Sequence, residues 1–397
     1  MFGFGNSEKA KVYAALIDIS SGSVGVGIVV SNQESLSPTL LYTHRINMRI
    51  TKYDSVKADD LRRVREALFS ASLILSQEGY LALREHDPHA KITKIFVTCS
   101  APWSFTLVQN VEYENDIRFK VSNGIISDLI KSAMMEISNN LKDNPSFVSD
   151  GFETVEQTTT DVKINDYAVS NPIGLSGTSI SLSHIVGIVP KEISSGVQEV
   201  HEKLFKNSTY NIHTFIIVMF YVIRDLFKNV HSMCIINITG EATEFGIAEH
   251  GILIENTNLP YGSNSFVREI MQLTGKPQSD VLSSMHAYLE NTHTSTSDVE
   301  KCIETYSDQV AVSLKKILER RLIPREVCIT VHGPHERIFR EVIAKAFKKV
   351  ASGEKHIILI EPNIIDHIVE GNTTDTYLAF GARFFHISQL LGNNQRS

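Results

Sequence analysis

The sequence predicts an α/β protein of two lobes, with a small α+β subdomain inserted into the first. Three observations carry that expectation. The chain opens as strand, turn, strand (VYAALIDIS, SGS, VGVGIVVS) and runs on into a third strand, LLYTHRINMRI. Far downstream, CIINITGEATEFGIAEHG (Cys234 to Gly251) repeats the hairpin design. Around both hairpins, apolar strand-like runs alternate with segments whose apolar residues recur at three-to-four spacing.

Taken in order, Ala58 to Leu83 reads as an amphipathic helix and KITKIFVTCSAPW as a buried strand ending in a proline loop. SDLIKSAMMEISNN is helical. DVKINDYAVSNPIGLSGTSISLSHIVGIVP reads as strand, Pro/Gly loop and alternating strand. A helix near Glu192 to Phe205 and the apolar run FIIVMFYVI lead to the second hairpin. A mostly helical stretch then extends to about Arg321, EVCITVHGPHERIF brings a strand into the helix REVIAKAFKKV, and TYLAFGARFFHISQLL closes as a helix. The expected boundaries are 1–108 with 371–397 for the first lobe and 109–190 for the insert. The second lobe spans 191–370, with a helical subdomain at about 265–321.

Composition narrows the function. The 42% hydrophobic and 21% charged content is that of a globular protein. A net charge of −7 argues against a general nucleic-acid binder, which needs basic surface. Cys99, Cys234, Cys302 and Cys328 are widely spaced and form no CxxC pair, which suits buried thiols in a reducing cytoplasm. No run reaches the ~18 apolar residues of a membrane span, and MFGFGNSEKAK lacks the apolar core of a signal peptide. A cytoplasmic location is expected.

Three separated segments share one physical design. IDISSGSVGVGIV places Asp18 at a strand end before Ser20, Ser21, Gly22 and Ser23, whose hydroxyls and N–H groups suit phosphate oxygens. Asp18 suits a magnesium ion held through water. INITGEATEFGIA presents Asn237, Thr239, Gly240, Glu241 and Thr243 at a second tip, so that two hairpins clamp a phosphate chain. ITVHGPHERIF ends at Gly333, Pro334 and His335, where a missing side chain admits a flat ligand. Taken singly, each is more often only a turn; their order is what points to a nucleotide.

The same segments resemble the actin-like ATPase superfamily, and within it the FtsA/PilM branch. IDISSGSVGVGIV and INITGEATEFGIAEHGIL are similar to its two phosphate motifs, and LPYGSNSFVREI, with Gly262, to the segment that follows. VCITVHGPHERI is similar to its adenosine motif and YLAFGARFF to its last connecting helix. INDYAVSNPIGLSGTSISLSHIVGIV resembles the insert that separates FtsA from actin, and MFGFG resembles the start of PilM chains. The resemblance implies a ribonuclease H-like, two-lobed fold around ATP and Mg, and recruitment at the inner face of the cytoplasmic membrane. It implies partners too: another copy of the chain, in a filament or dimer, and a membrane-anchored division or pilus protein.

Several departures point away from fast hydrolysis. Asn237 stands where the family has aspartate; an amide carries no charge and is no base. Glu241 brings a carboxylate toward phosphates unless it turns away or faces the metal, and Glu244 keeps an acid nearby. GPHER replaces a Gly-Gly pair, and FIIVMFYVI offers no acid or amide to orient water. The sequence stops at HISQLLGNNQRS, almost immediately after the last domain helix and without the basic amphipathic helix of FtsA-like chains, so membrane contact is expected through a partner. The expected function is an FtsA-like scaffold with weak or no ATPase activity. A PilM-like platform of pilus assembly is the near alternative, and a sugar- or acetate-type kinase of the same fold the more distant one.

Overall fold

The computed structural model describes residues 11–50, 57–142, 151–169, 171–290, 297–333, 335–350, 353–371 and 373–394. The MFGFG start and Pro334 lie outside the described residues. Each lobe is built on a five-stranded mixed sheet, and the insert on a third sheet of four strands.

In the first lobe, β1 (Val12–Ile19), β2 (Ser23–Ser31) and β3 (Thr39–Asn47) form an antiparallel meander. Strands β4 (Ile92–Cys99) and β9 (Thr209–Thr214) extend it in parallel beside β1. Both faces of β1 and β2 are buried, which is why they read as near-continuous apolar runs. One face (Ala15, Ile17, Val26, Ile28) packs on helices α1 (Lys57–Ile74) and α4 (Lys191–Leu204). A π-helical turn, Leu75–Gly79, joins α1 to α2 (Tyr80–His86) within the helical segment expected at Ala58 to Leu83. The other face (Ala14, Leu16, Val29) meets α5 (Phe215–Leu226) and, beyond the single turn α10 (Pro362–Ile365), α11 (Thr376–Asn394).

The second sheet has the order β12-β11-β10-β13-β14: β10 (Met233–Ile238), β11 (Thr243–Glu249), β12 (Ile252–Leu259), β13 (Glu326–Val331) and β14 (His356–Leu359). Its outer apolar face is covered by α6 (Ser263–Thr274), α7 (Gln278–Leu289), α8 (Ser297–Leu318) and α9 (Glu336–Lys349). These helices share that sheet's core, so the stretch at about 265–321 has no apolar cluster of its own among the described residues. Period two sorts β10 as it sorts β1. Cys234, Ile236 and Ile238 face those helices, whereas Met233 and Ile235 face α5, the side that Asn237 continues.

The insert stacks α3 (Asn123–Lys142) on β5 (Phe105–Lys120), β8 (Ser176–Pro190), β6 (Phe152–Ile164) and β7 (Tyr167–Ala168). Two boundaries move. Strand β5 begins at Phe105, before residue 109. Strand β9, together with α4, belongs to the first sheet and its helical cover, although 191–370 was expected to be second lobe. The apolar run at Phe215 is α5, buried on nearly every side between the sheets.

Candidate functional site

Strand register brings the site together. Asp18 continues the Ala14–Leu16 face of β1, Asn237 the Met233–Ile235 face of β10, and Thr330 and His332 the Cys328 face of β13. All three faces look at the layer made by α5 and α11. The two expected hairpins and the strand-to-helix turn at Gly333 thus meet at one cleft.

The tips of the hairpins touch each other. Ser21 Oγ donates to Thr239 Oγ1 at 3.0 Å, and the Glu241 N–H donates to Ser21 Oγ at 2.8 Å. A side chain on Gly240 would begin 3.1 Å from the Gly22 nitrogen and 2.6 Å from Asn264 Nδ2. The start of α6 is spent as well: the N–H groups of Ser263 and Asn264 donate to the carbonyls of Thr239 and Gly240, both at 2.8 Å. A helix N-terminus offers an anion its free N–H groups, and here the second hairpin has taken them. Gly262 permits that approach; a Cβ there would lie 2.2 Å from the Thr239 carbonyl oxygen.

Asp18 and Ser23 are fully buried. Asp18 Oδ1 accepts from Thr98 Oγ1 at 2.9 Å, and Oδ2 lies 3.0 Å from Arg45 Nη2. Arg45 also forks onto Asp375, with Nε to Oδ2 at 2.7 Å and Nη2 to Oδ1 at 2.9 Å, and donates from Nη1 to Ser23 Oγ at 2.6 Å. Ser23 Oγ lies 2.5 Å from His332 Nε2, which ties the first lobe to β13. Burial pushes the Asp18 carboxyl up to about 6 even beside Arg45. Burial would raise Asp375 too, but the charge and hydrogen bonds of Arg45 outweigh it and hold Asp375 below the usual carboxylate range. Burial, then Arg45, brings His332 down to about 3, so its ring is neutral.

The remaining expected residues have other partners. Asn237 Oδ1 accepts from Thr330 Oγ1 at 3.0 Å and from the Tyr377 hydroxyl at 2.7 Å, joining β10 to β13 and α11. Thr243 donates to the Tyr261 carbonyl at 2.8 Å, inside the second lobe. Glu241 turns away from the cleft onto Arg268 Nη2, at 2.7 and 2.8 Å. His335 caps α9 in the left-handed region (φ 70°), its ring against His286. Gly333 (φ 106°) lines a cavity of about 540 Å³ with His332, Glu336, Asn264, Met285 and Phe339, within the size range of small-molecule sites.

Arg45, Asp375, Thr98, His332 and Tyr377 are the residues that motif reading missed. A lone arginine in THRIN has no local signature. The hint was glycine at every second position in VGVG, since Gly25 pairs with both Asp18 and Arg45.

Magnesium–triphosphate does not fit these residues as they are arranged. The hairpin tips are in hydrogen-bonding contact, the α6 donors are engaged and Asp18 carries an arginine. Asp18 Oδ2, Ser20 Oγ, Ser100 Oγ, Asn237 Nδ2 and Glu244 Oε2 are buried without a hydrogen-bond partner, Asp18 Oδ2 meeting Arg45 only as an ion pair, which favours water or a small polar group among them. Among the described residues no group of three or more His, Cys, Asp or Glu is placed to hold a metal.

Two predictions follow from this geometry. Asn237→Asp should not create an ATPase. It sets a second carboxylate against buried Glu244, its cross-strand partner, and should cost about 1–3 kcal/mol in urea unfolding. Glu244 is raised to about 7, chiefly by burial, with Asn256 opposing. A carboxyl raised in the fold contributes stability that is full below its unfolded value of 4.5 and is lost as pH rises through 7. Glu244→Gln should therefore gain on the natural chain between pH 4.5 and 7 and hold that gain above it, up to about 3 kcal/mol. A stability difference that is flat with pH would contradict this.

The fold and cleft define a class: two lobes, each a mixed sheet led by a hairpin, closing over a central helical layer, which is the actin-like fold. A PilM–PilN type IV pilus biogenesis complex contains a chain of this shape. The match covers 97% of this chain and 98% of that one, with a TM-score of 0.58 and 10% identity. EutJ, an ethanolamine utilization protein from Carboxydothermus hydrogenoformans, matches at TM-score 0.46 and 8% identity over 94% and 89% of the two chains. A Bacteroides thetaiotaomicron protein with an actin-like ATPase fold and unknown function matches at 0.41 and 8% identity over 91% and 94%. No family model and no curated protein matches the sequence. At these identities the likeness is one of fold. No helix among the described residues is long and apolar enough to cross a membrane.

Proposed function

We propose that this chain is a PilM-like cytoplasmic platform: an actin-fold protein that recruits a membrane-anchored partner, keeps its cleft closed with its own residues and does not turn over ATP. The observation that carries this reading is the direct contact of the two hairpin tips, Ser21 on Thr239 and Glu241. Phosphoryl transfer depends on a positioned metal and an oriented nucleophile. Here the metal-side carboxylate is paired with Arg45 and the second tip offers Asn237. A sugar-kinase role needs a free acid beside the cavity. Asp375 is held by Arg45, which leaves Glu336 on α9 as the other acid lining it. An FtsA-like role in division, with filaments of the chain itself, is a variant of the same platform reading.

The similar PilM chain is part of a complex with PilN. On this chain, a groove of about 580 Å³ between α1 and α4 suits an extended peptide. Leu61 and Phe69 make its floor, with Arg62, Arg65, Glu66 and Glu192 at the rim. The test is fluorescence anisotropy with the cytoplasmic peptide of a PilN-type membrane protein from the same cell. Saturable binding is expected, weakened about tenfold or more by Phe69→Ala, since burying an aromatic anchor contributes about 1.5–3 kcal/mol. No binding would remove the PilM-like reading.

A further inference from the structure

We infer that Arg45 is the cleft's own cation: it takes the electrostatic place of a divalent ion beside Asp18, so that the lobes close on protein groups alone. The strand register sets this up. Asp18 pairs with Gly25 and Gly25 with Arg45, so the three residues stand in one cross-strand row over β1, β2 and β3. The middle member must lack a side chain, because a Cβ on Gly25 would lie 2.5 Å from Arg45 Nη2. Across that gap the guanidinium reaches Asp18.

The hydrogen bonds fit an arginine in particular. Its planar fork matches the Asp375 carboxylate in two places and leaves Nη1 for Ser23, while Nη2 faces Asp18 Oδ2 as an ion pair at 3.0 Å. Tyr377 adds its ring face 5.7 Å from Arg45 Cζ. Through Ser23 the same guanidinium is coupled to His332 on the second lobe. A hydrated magnesium ion needs an octahedral shell about 2 Å in radius. That shell and the guanidinium cannot both stand against Asp18, and two neighbouring cations repel. Arg45 and a divalent ion are therefore competitors for one carboxylate.

The inference concerns the cleft and holds whichever partner binds the α1–α4 groove. It is tested by thermal unfolding of the natural chain and of Arg45→Gln, with and without millimolar MgCl2 and then MnCl2, at matched ionic strength. The natural chain's Tm is expected not to move. The variant's should rise by about 2–4 °C once the ion is at about ten times its Kd. A variant that folds only with the ion present supports the inference equally. Equal gains in both chains, or a gain in neither, would overturn it. If Arg45→Gln fails to fold under every condition, Arg45→Gln/Asp375→Asn, which removes one carboxylate with the cation, decides in its place. An ion-dependent rise supports the inference and no rise overturns it.

Discussion

Arg45→Ala is expected to destabilise the protein by about 3–5 kcal/mol, the usual cost of removing one partner from a buried ion pair. Asp18 would be left with a side chain 1% exposed and Asp375 with one 16% exposed, facing each other without a cation. Replacing the whole cluster by apolar groups need not be costly. Removing only its positive member is, because two desolvated carboxylates then share one site. Urea unfolding at neutral pH without divalent ions gives the number. The penalty should shrink as pH falls, since protonating either carboxyl relieves the repulsion. Arg45→Lys keeps the charge but loses the fork, and should cost less than the alanine variant. A loss under about 1 kcal/mol for Arg45→Ala, the level of an exposed pair, would show that the cluster is solvated and holds nothing together.

Gly262→Ala comes next, at about 3 kcal/mol or more. The added methyl would sit 2.2 Å from the Thr239 carbonyl oxygen and 2.7 Å from both the Ala242 nitrogen and the Gly240 carbonyl carbon. All three are backbone atoms, which cannot swing aside as a side chain does. Relief must come from moving the second hairpin off the start of α6, which breaks the bonds from Ser263 and Asn264. Gly275→Ala is the control. That residue ends α6 at φ 68° with nothing within 4 Å, so its alanine variant should lose only about 1 kcal/mol of backbone strain. Equal losses at the two positions would mean that the close packing of hairpin on helix is not what Gly262 provides.

Much of the fold was legible because periodicity survives burial. The two-sided apolar runs of β1, β2 and β10 and the amphipathic stripes of α1, α8 and α9 are visible residue by residue. Strand β9 was not. TYNIHT is short and mixes polar residues with one buried isoleucine, and only pairing with β4 makes it a strand. The boundary expected at residue 191 therefore falls before the last strand of the first sheet.

The site was half legible. Asp18, the SSGS turn and the second tip all reach the cleft, because motif residues at strand ends are positioned by their own strands. What they do there depends on residues with no local signature. Arg45 acts on Asp18 from two strands away, through a glycine. Asp375 and Tyr377 arrive from the start of the last helix. Glu241 is understood only once Arg268, on the neighbouring helix, is seen to hold it. Asn237, read in sequence as a missing acid, is in the fold an acceptor for two hydroxyls that join β10, β13 and α11.

Together these contacts describe a cleft between the lobes in which the two hairpin tips are joined by the protein's own groups. The direct measurement is calorimetric titration of ATP with magnesium into the natural chain, followed by a phosphate-release assay on the same sample. The account predicts no magnesium-dependent heat of binding and no release above the protein-free rate. Saturable, magnesium-dependent binding accompanied by phosphate release would contradict it.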